Sequence, residues 1–338
     1  MIMEYAEGEM LTRDLSELSN WSNKRIEALY SGLSDILLEL WNHPFPRIGS
    51  ISLRDNGEPD AVNLSRPLML EFNNLELDGT NISSVFPSYR TFGTATEYFN
   101  SLADLQMKRL LQQRNSVETE EEAESKFMNR IHFKGAVSNF VDSCWDHGPF
   151  VLVIGDLSAQ NILVDKNGFV TAILDLEWTS IRPVQAIGPP VWLSGEVCGD
   201  VIVRDKAELK KFESRFEHFV KIFERQENLR VQENQSVFPD PGRRLSNIMK
   251  IGLSSGRYWF AEAAGSFYGF GGLFYWALSR HILYTKDSMM TIVASWVGRR
   301  KLDDLHTLDH LRTLSPTART ARTEMDMLSG KSTSRVFF

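Results

Sequence analysis

The stretch from Phe150 to Trp178 constrains the fold of this chain more than any other. It carries three short apolar runs, Phe150–Ile154, Ile162–Val164 and Phe169–Leu174. Their length and β-branched content predict strands. Asp165-Lys166-Asn167-Gly168 separates the last two. Asn-Gly favours a two-residue hairpin turn, because both central residues must take positive φ. Such a loop sets Lys166 opposite Phe169. Counting outward, Asn161 falls opposite Leu174 and Gln160 opposite Asp175. Facing residues lie about 4.5–5.5 Å apart, so Asn161 and Asp175 arrive side by side at the open end. Asp156 sits on the loop that leads in.

Two carboxylates and an amide therefore share one small volume. Oxygen donors of this kind suit Mg²⁺, which takes one or two carboxylates together with substrate phosphates. A further acid beside the metal can accept or orient a hydroxyl proton. Metal ions neutralising phosphates while an Asp positions the nucleophile is the logic of phosphoryl transfer. The structural alternative is a hairpin whose Asp and Asn residues cap turns. For Asp165, inside the turn itself, that alternative is the expectation.

The rest of the chain reads as mostly helical. Between Trp21 and Trp41, apolar residues recur every three or four positions, with Ser22 or Asn23 as the cap and Pro44 and Pro46 as the stop. Residues 47–78 read as loops and short strands. Thr94-Ala95-Thr96-Glu97 is a capping box that starts a helix. The acidic run from Glu118 to Glu124 suits the first turn of the next helix, where carboxylates meet the positive end of its dipole. Ala207–Gln226 carries Phe212, Phe216, Phe219 and Phe223 on one face, and Tyr258–Trp276 is dense in aromatics. Helix is expected to continue to about residue 311. From Arg312 the composition turns to Ser, Thr and Arg, and a disordered tail is expected.

Composition removes several classes. Two cysteines, Cys144 and Cys198, exclude a disulfide scaffold and a Cys-rich zinc site, and suit a reducing compartment. A net charge of −7 gives no bulk attraction to nucleic acid or to an anionic membrane. The N-terminus lacks a basic segment and an apolar core, so no secretory signal is read there. The most apolar window, Ala261–Leu278, is interrupted by Glu262 and Ser266 and is too short to span a bilayer.

Asp-x-x-x-x-Asn, a short hairpin, then Asp resembles the kinase catalytic-loop pattern. Gly155-Asp156-Leu157-Ser158, Asn161-Ile162-Leu163-Val164-Asp165 and Ile173-Leu174-Asp175-Leu176-Glu177-Trp178 are similar to the aminoglycoside phosphotransferase and choline kinase branch. Met1–Gly8 looks like that family's hinge between lobes. His43-Pro44-Phe45-Pro46-Arg47-Ile48-Gly49-Ser50 and Pro190-Val191-Trp192-Leu193 resemble two further stretches of it, so the likeness covers roughly residues 1–285. The resemblance implies an α+β fold: a protein kinase-like large lobe, mostly helical with a catalytic-loop β-hairpin, and a small β lobe largely absent. Residues 1–10 would be a hinge-like remnant, 11–311 the large lobe and 312–338 the tail.

By the same resemblance, Asp156 is the catalytic base, Asn161 and Asp175 hold Mg²⁺, Glu177 is a nearby acid, and Glu4 and Tyr5 of the hinge meet the nucleotide. ATP and Mg²⁺ are the implied cofactors, and a small-molecule hydroxyl the implied substrate, in the cytoplasm. The sequence departs from the pattern in two ways. Ile154 stands where the family has a loop-supporting His, and no Gly-rich phosphate loop or strand Lys is found. Impaired activity is therefore expected, and a non-catalytic, pseudokinase-like binding or scaffold protein stays open. A further reading takes Arg243-Arg244-Leu245-Ser246 as a phosphorylation stretch, against an ordinary basic loop. A Gly-Asp-Ser-Leu-type esterase fails because Ser158 has no evident His partner.

Overall fold

The computed structural model describes residues 6–11, 15–54, 56–113, 116–196, 198–236, 238 and 240–281. Helices and small antiparallel sheets make up a mixed α+β chain. It divides into two compact units, Met1–Arg109 with Asn129–Thr285, and Leu110–Met128 with Lys286–Phe338. The expected helix after residue 281, the expected tail, and Glu4 and Tyr5 lie outside the described residues.

In chain order the elements are β1 (Glu9–Met10), α1 (Asn23–Trp41), β2 (Ser50–Leu53), β3 (Pro59–Ser65), α2 (Leu70–Leu77), α3 (Ala95–Gln112), α4 (Glu120–Gly135) and α5 (Val137–Phe140). Then come β4 (Phe150–Ile154), β5 (Ile162–Val164), β6 (Val170–Ile173), β7 (Thr179–Pro183), α6 (Gly199–Arg204), α7 (Lys206–Gln232), α8 (Leu245–Ser254), α9 (Arg257–Gly265) and α10 (Phe270–Gly272). Ser22 caps α1 by accepting the Arg25 N–H at 3.4 Å. Thr94 accepts the Glu97 N–H at 3.1 Å, so the capping box starts α3 where expected.

The expectation for residues 47–78 holds for β2 and β3 and fails for α2. Only Phe72 and Leu75 of that helix are buried, while Leu77 is exposed. Two buried residues make too short a pattern for its period to show in the sequence. The aromatic stretch also breaks, into α9, α10 and a π-helical turn at Leu273–Leu278.

The Phe stripe of α7 is the main wall of the core. Phe212, Phe216, Phe219 and Phe223 are all fully buried. Tyr30 and Trp41 of α1 meet Phe219 and Phe223 with ring centroids 5.5 and 5.7 Å apart. Burying each such side chain stabilises the fold by about 1.5–3 kcal/mol. Within the second unit, Thr119 accepts the Glu122 N–H at 3.1 Å, and Glu122 accepts the Glu118 N–H at 2.7 Å. The acidic run is thus the start of α4, as its composition suggests.

Four strands set the site. β4 pairs with β7 and β5 with β6, both antiparallel, so the inner hairpin is nested inside the outer pair in sequence. β1 adds to the outer side of β5. One expectation is corrected here: Ser246 is no phosphorylation site in this fold. It is buried, and its hydroxyl donates to Glu227 at 2.5 Å. Glu227 also accepts the Leu245 and Ser246 N–H groups, at 2.7 and 3.2 Å. Ser246 belongs to a buried cap that ties α8 to α7.

Candidate active site

Nesting places the β4–β5 loop and the β6–β7 loop at one end. Asp156 and Asn161 stand on the first, and Asp175 on the second. The outer pair closes with Gly155 N–H donating to Trp178 C=O at 3.2 Å, and the inner pair with Leu174 N–H donating to Asn161 C=O at 2.7 Å. Asn161 therefore faces Leu174, as the counting predicts, and Asp175 is the next residue.

The turn differs from the expected one. Asp165 N–H bonds Phe169 C=O at 2.9 Å, leaving a three-residue loop that ends at Gly168 with φ 92°. The register then shifts at a bulge: Val164 faces Val170, but Leu163 faces Ala172. The extra residue, Thr171, donates its hydroxyl to Glu7 C=O at 2.6 Å. A loop one residue longer than expected and a bulge of one residue cancel, and the open end keeps its predicted register. Asp165 is the turn residue: its carboxylate accepts the Asn167 and Phe169 N–H groups at 2.8 and 2.9 Å.

Gly155 is required by crowding. A Cβ there would overlap the Trp178 carbonyl oxygen and come within 2.9 Å of the Arg182 guanidinium. The loop is anchored from its other side by Trp192, whose indole N–H donates to Leu157 C=O at 2.7 Å. Ile154, which precedes Gly155, is buried at the end of β4. It packs and offers no hydrogen bond.

Asn161 Nδ2 donates to the Asp156 carbonyl at 3.0 Å and to its Oδ2 at 3.1 Å. This turns the amide nitrogen toward Asp156 and leaves the amide oxygen as an available donor to a cation. Asp175 is exposed and left-handed, with φ 55° and ψ 62°. A non-glycine residue held there costs about 1–3 kcal/mol, and such strain concentrates at functional positions. Glu177 is exposed in the 3₁₀ turn Leu176–Trp178, and among the described residues no hydrogen bond ties it to the other three. The Asn161 amide oxygen and the Asp175 carboxylate are both hard oxygen donors.

Three charged residues absent from the sequence expectations line a cavity of about 450 Å³ against the Asp156 loop: Glu71 of α2, Arg182 of β7 and Glu262 of α9. Desolvation raises the Glu262 pKa to about 7, against the pull of Arg182 and with a further push from Glu71. Glu71 is raised chiefly by the same desolvation. The one sequence signal for any of them is Glu262 itself, an acid inside the most apolar window of the chain.

No family model matches the chain, and no solved structure matches it. A relative, the clavilactone A biosynthesis cluster protein Y of Ampulloclitocybe clavipes, is 41% identical over 71 residues. That stretch is 21% of this chain and spans 16% of the relative's length.

Proposed function

We propose that this chain carries a protein kinase-like large lobe of the aminoglycoside phosphotransferase type. Its reaction is Mg²⁺-dependent transfer of the ATP γ-phosphoryl group to the hydroxyl of a small molecule. The observation that carries the reading is the mouth of the nested strands. There the Asn161 amide is bonded to Asp156, and a left-handed Asp175 follows the residue facing Asn161.

Asp156 accepts the proton of the acceptor hydroxyl as its oxygen bonds to phosphorus and the bond to the ADP oxygen breaks. The Asn161 amide holds the Asp156 carboxylate in place by a direct hydrogen bond. Asn161 Oδ1 and Asp175 are the residues to hold Mg²⁺, which when bound neutralises phosphate charge. A cytoplasmic setting belongs to the same reading, since Cys144 and Cys198 are both free and exposed. Among the described residues no helix is long and apolar enough to cross a membrane.

A non-catalytic scaffold is the second reading, and Ile154 favours it, because nothing polar supports the loop from behind. ATP turnover by the full chain with and without Mg²⁺ separates the two. The phosphotransferase reading expects impaired but metal-dependent turnover that Asp156→Asn lowers further, by about 10²–10⁴-fold. Turnover indifferent to that substitution contradicts it, and no turnover supports the scaffold.

A further inference from the structure

Glu71 and Glu262 keep some exposure toward the cavity but are densely enclosed by protein. Among the described residues, neither carboxylate accepts a hydrogen bond from another residue, and none of the three charges forms an ion pair. Arg182 donates Nε–H to Ser180 Oγ at 3.1 Å, and among the described residues its guanidinium makes no other hydrogen bond. Arg182 acts on both glutamates through space without closing an ion pair with either, so their hydrogen-bonding capacity remains for a ligand. The cavity's remaining charged walls are Asp156 and Asp200, and Asp200 is already paired with Arg204 at 2.9 Å.

We propose that this cavity takes a small hydroxyl-bearing zwitterion of the amino-acid type, its ammonium toward Glu71 and Glu262 and its carboxylate toward Arg182. A purely anionic ligand meets two enclosed glutamates. A purely cationic one leaves Arg182 unsatisfied and repelled. A neutral one engages none of the three charges. A ligand with both signs engages walls of both signs. The volume lies within the range of small-molecule sites, about 300–1,000 Å³. Tyr98 and Trp192 add aromatic surface beside the charges. That the hydroxyl receives a phosphoryl group rests on the reading above, whereas zwitterion binding does not.

The protonation of Glu262 supplies a second signature. Arg182 of β7, Glu71 of α2 and Tyr258 of its own helix interact with it, and Tyr98 of α3, Asp156 of the loop and Asp200 of α6 line the same cavity. With its pKa at about 7, it is part-protonated near neutrality. An arriving ammonium favours the ionised form, so binding near pH 7 releases protons, and affinity rises with pH through that value.

Calorimetric titration of the full chain with two matched sets tests this without any phosphoryl transfer. One set is L-serine, ethanolamine and 3-hydroxypropanoate. The other is L-tyrosine, tyramine and 3-(4-hydroxyphenyl)propanoate. In at least one set the zwitterion is expected to bind more tightly than both analogues, with proton release detected by changing the buffer. Arg182→Met should weaken zwitterion binding about tenfold or more and spare the amine. Arg182→Lys, which keeps the charge, should retain most of the affinity and guards against misfolding. Glu262→Gln should abolish the proton release. If neither zwitterion outbinds its own analogues, or if folded Arg182→Met binds it like the wild type, the proposal is overturned. Zwitterion binding without ATP turnover would leave it standing and remove the phosphotransferase reading alone.

Discussion

Asp175 and Glu262 are both carboxylates, and the fold treats them in opposite ways. Asp175 is held exposed in a left-handed backbone, where a cation can reach it. Glu262 is enclosed, and desolvation raises its pKa to about 7. In an unfolded chain a Glu ionises near pH 4.3. The folded state therefore binds the proton more tightly, and stability falls as pH rises from there to about 7. The cost above neutrality is about 2–4 kcal/mol, in proportion to the shift. Glu262→Gln removes it. Chemical denaturation should show the variant gaining on the wild type by that amount between pH 4 and pH 8, in favour of Gln at the higher pH. A gap independent of pH would contradict the enclosed, part-protonated carboxyl. Asp156, Asn161 and Asp175 could be read together because they flank one hairpin, where counting along strands fixes neighbours. Glu71, Arg182 and Glu262 come from three distant elements, and only tertiary packing brings them to one cavity.

At the scale of elements, the nested strands do most of the positioning. Their two loops are brought together by backbone pairing alone, so the site survives a wrong turn type as long as the register at the open end is right. The sequence pointed to a two-residue turn because Asn-Gly is its commonest signal. Asp165 changes that outcome by bonding the Asn167 and Phe169 N–H groups, which stabilises the longer loop. Helix α2 stayed hidden because two buried residues carry no period, whereas α1 and α7 announced themselves through long apolar stripes. The α7–α8 junction has its own test. Glu227 satisfies the first N–H groups of α8 and the Ser246 hydroxyl from inside the core. Glu227→Ala strands those donors in a buried place, at a cost of about 2–4 kcal/mol. Urea unfolding should show that loss, and a change below about 0.5 kcal/mol would contradict the buried cap.

Across the whole molecule, the aromatic core of the first unit gives the strands and the cavity a rigid backing. Such a backing suits the proposed phosphoryl transfer, in which a protein contributes position and charge more than covalent chemistry. The α+β class and the hairpin were readable because apolar periodicity and turn residues agree there. The long aromatic stretch, expected as a buried helix or helix pair, folds as α9, α10 and the π-helical turn, with Gly265 ending α9 and Gly269 preceding α10. The most direct test of the central claim is thermal unfolding of the full chain with Mg²⁺ and a non-hydrolysable ATP analogue. A ligand at 100 times its Kd adds about 2.7 kcal/mol of stability. The account predicts a clear rise in Tm that needs both components and is lost in Asp175→Ala. No rise in the wild type, or an equal rise in the variant, would contradict it.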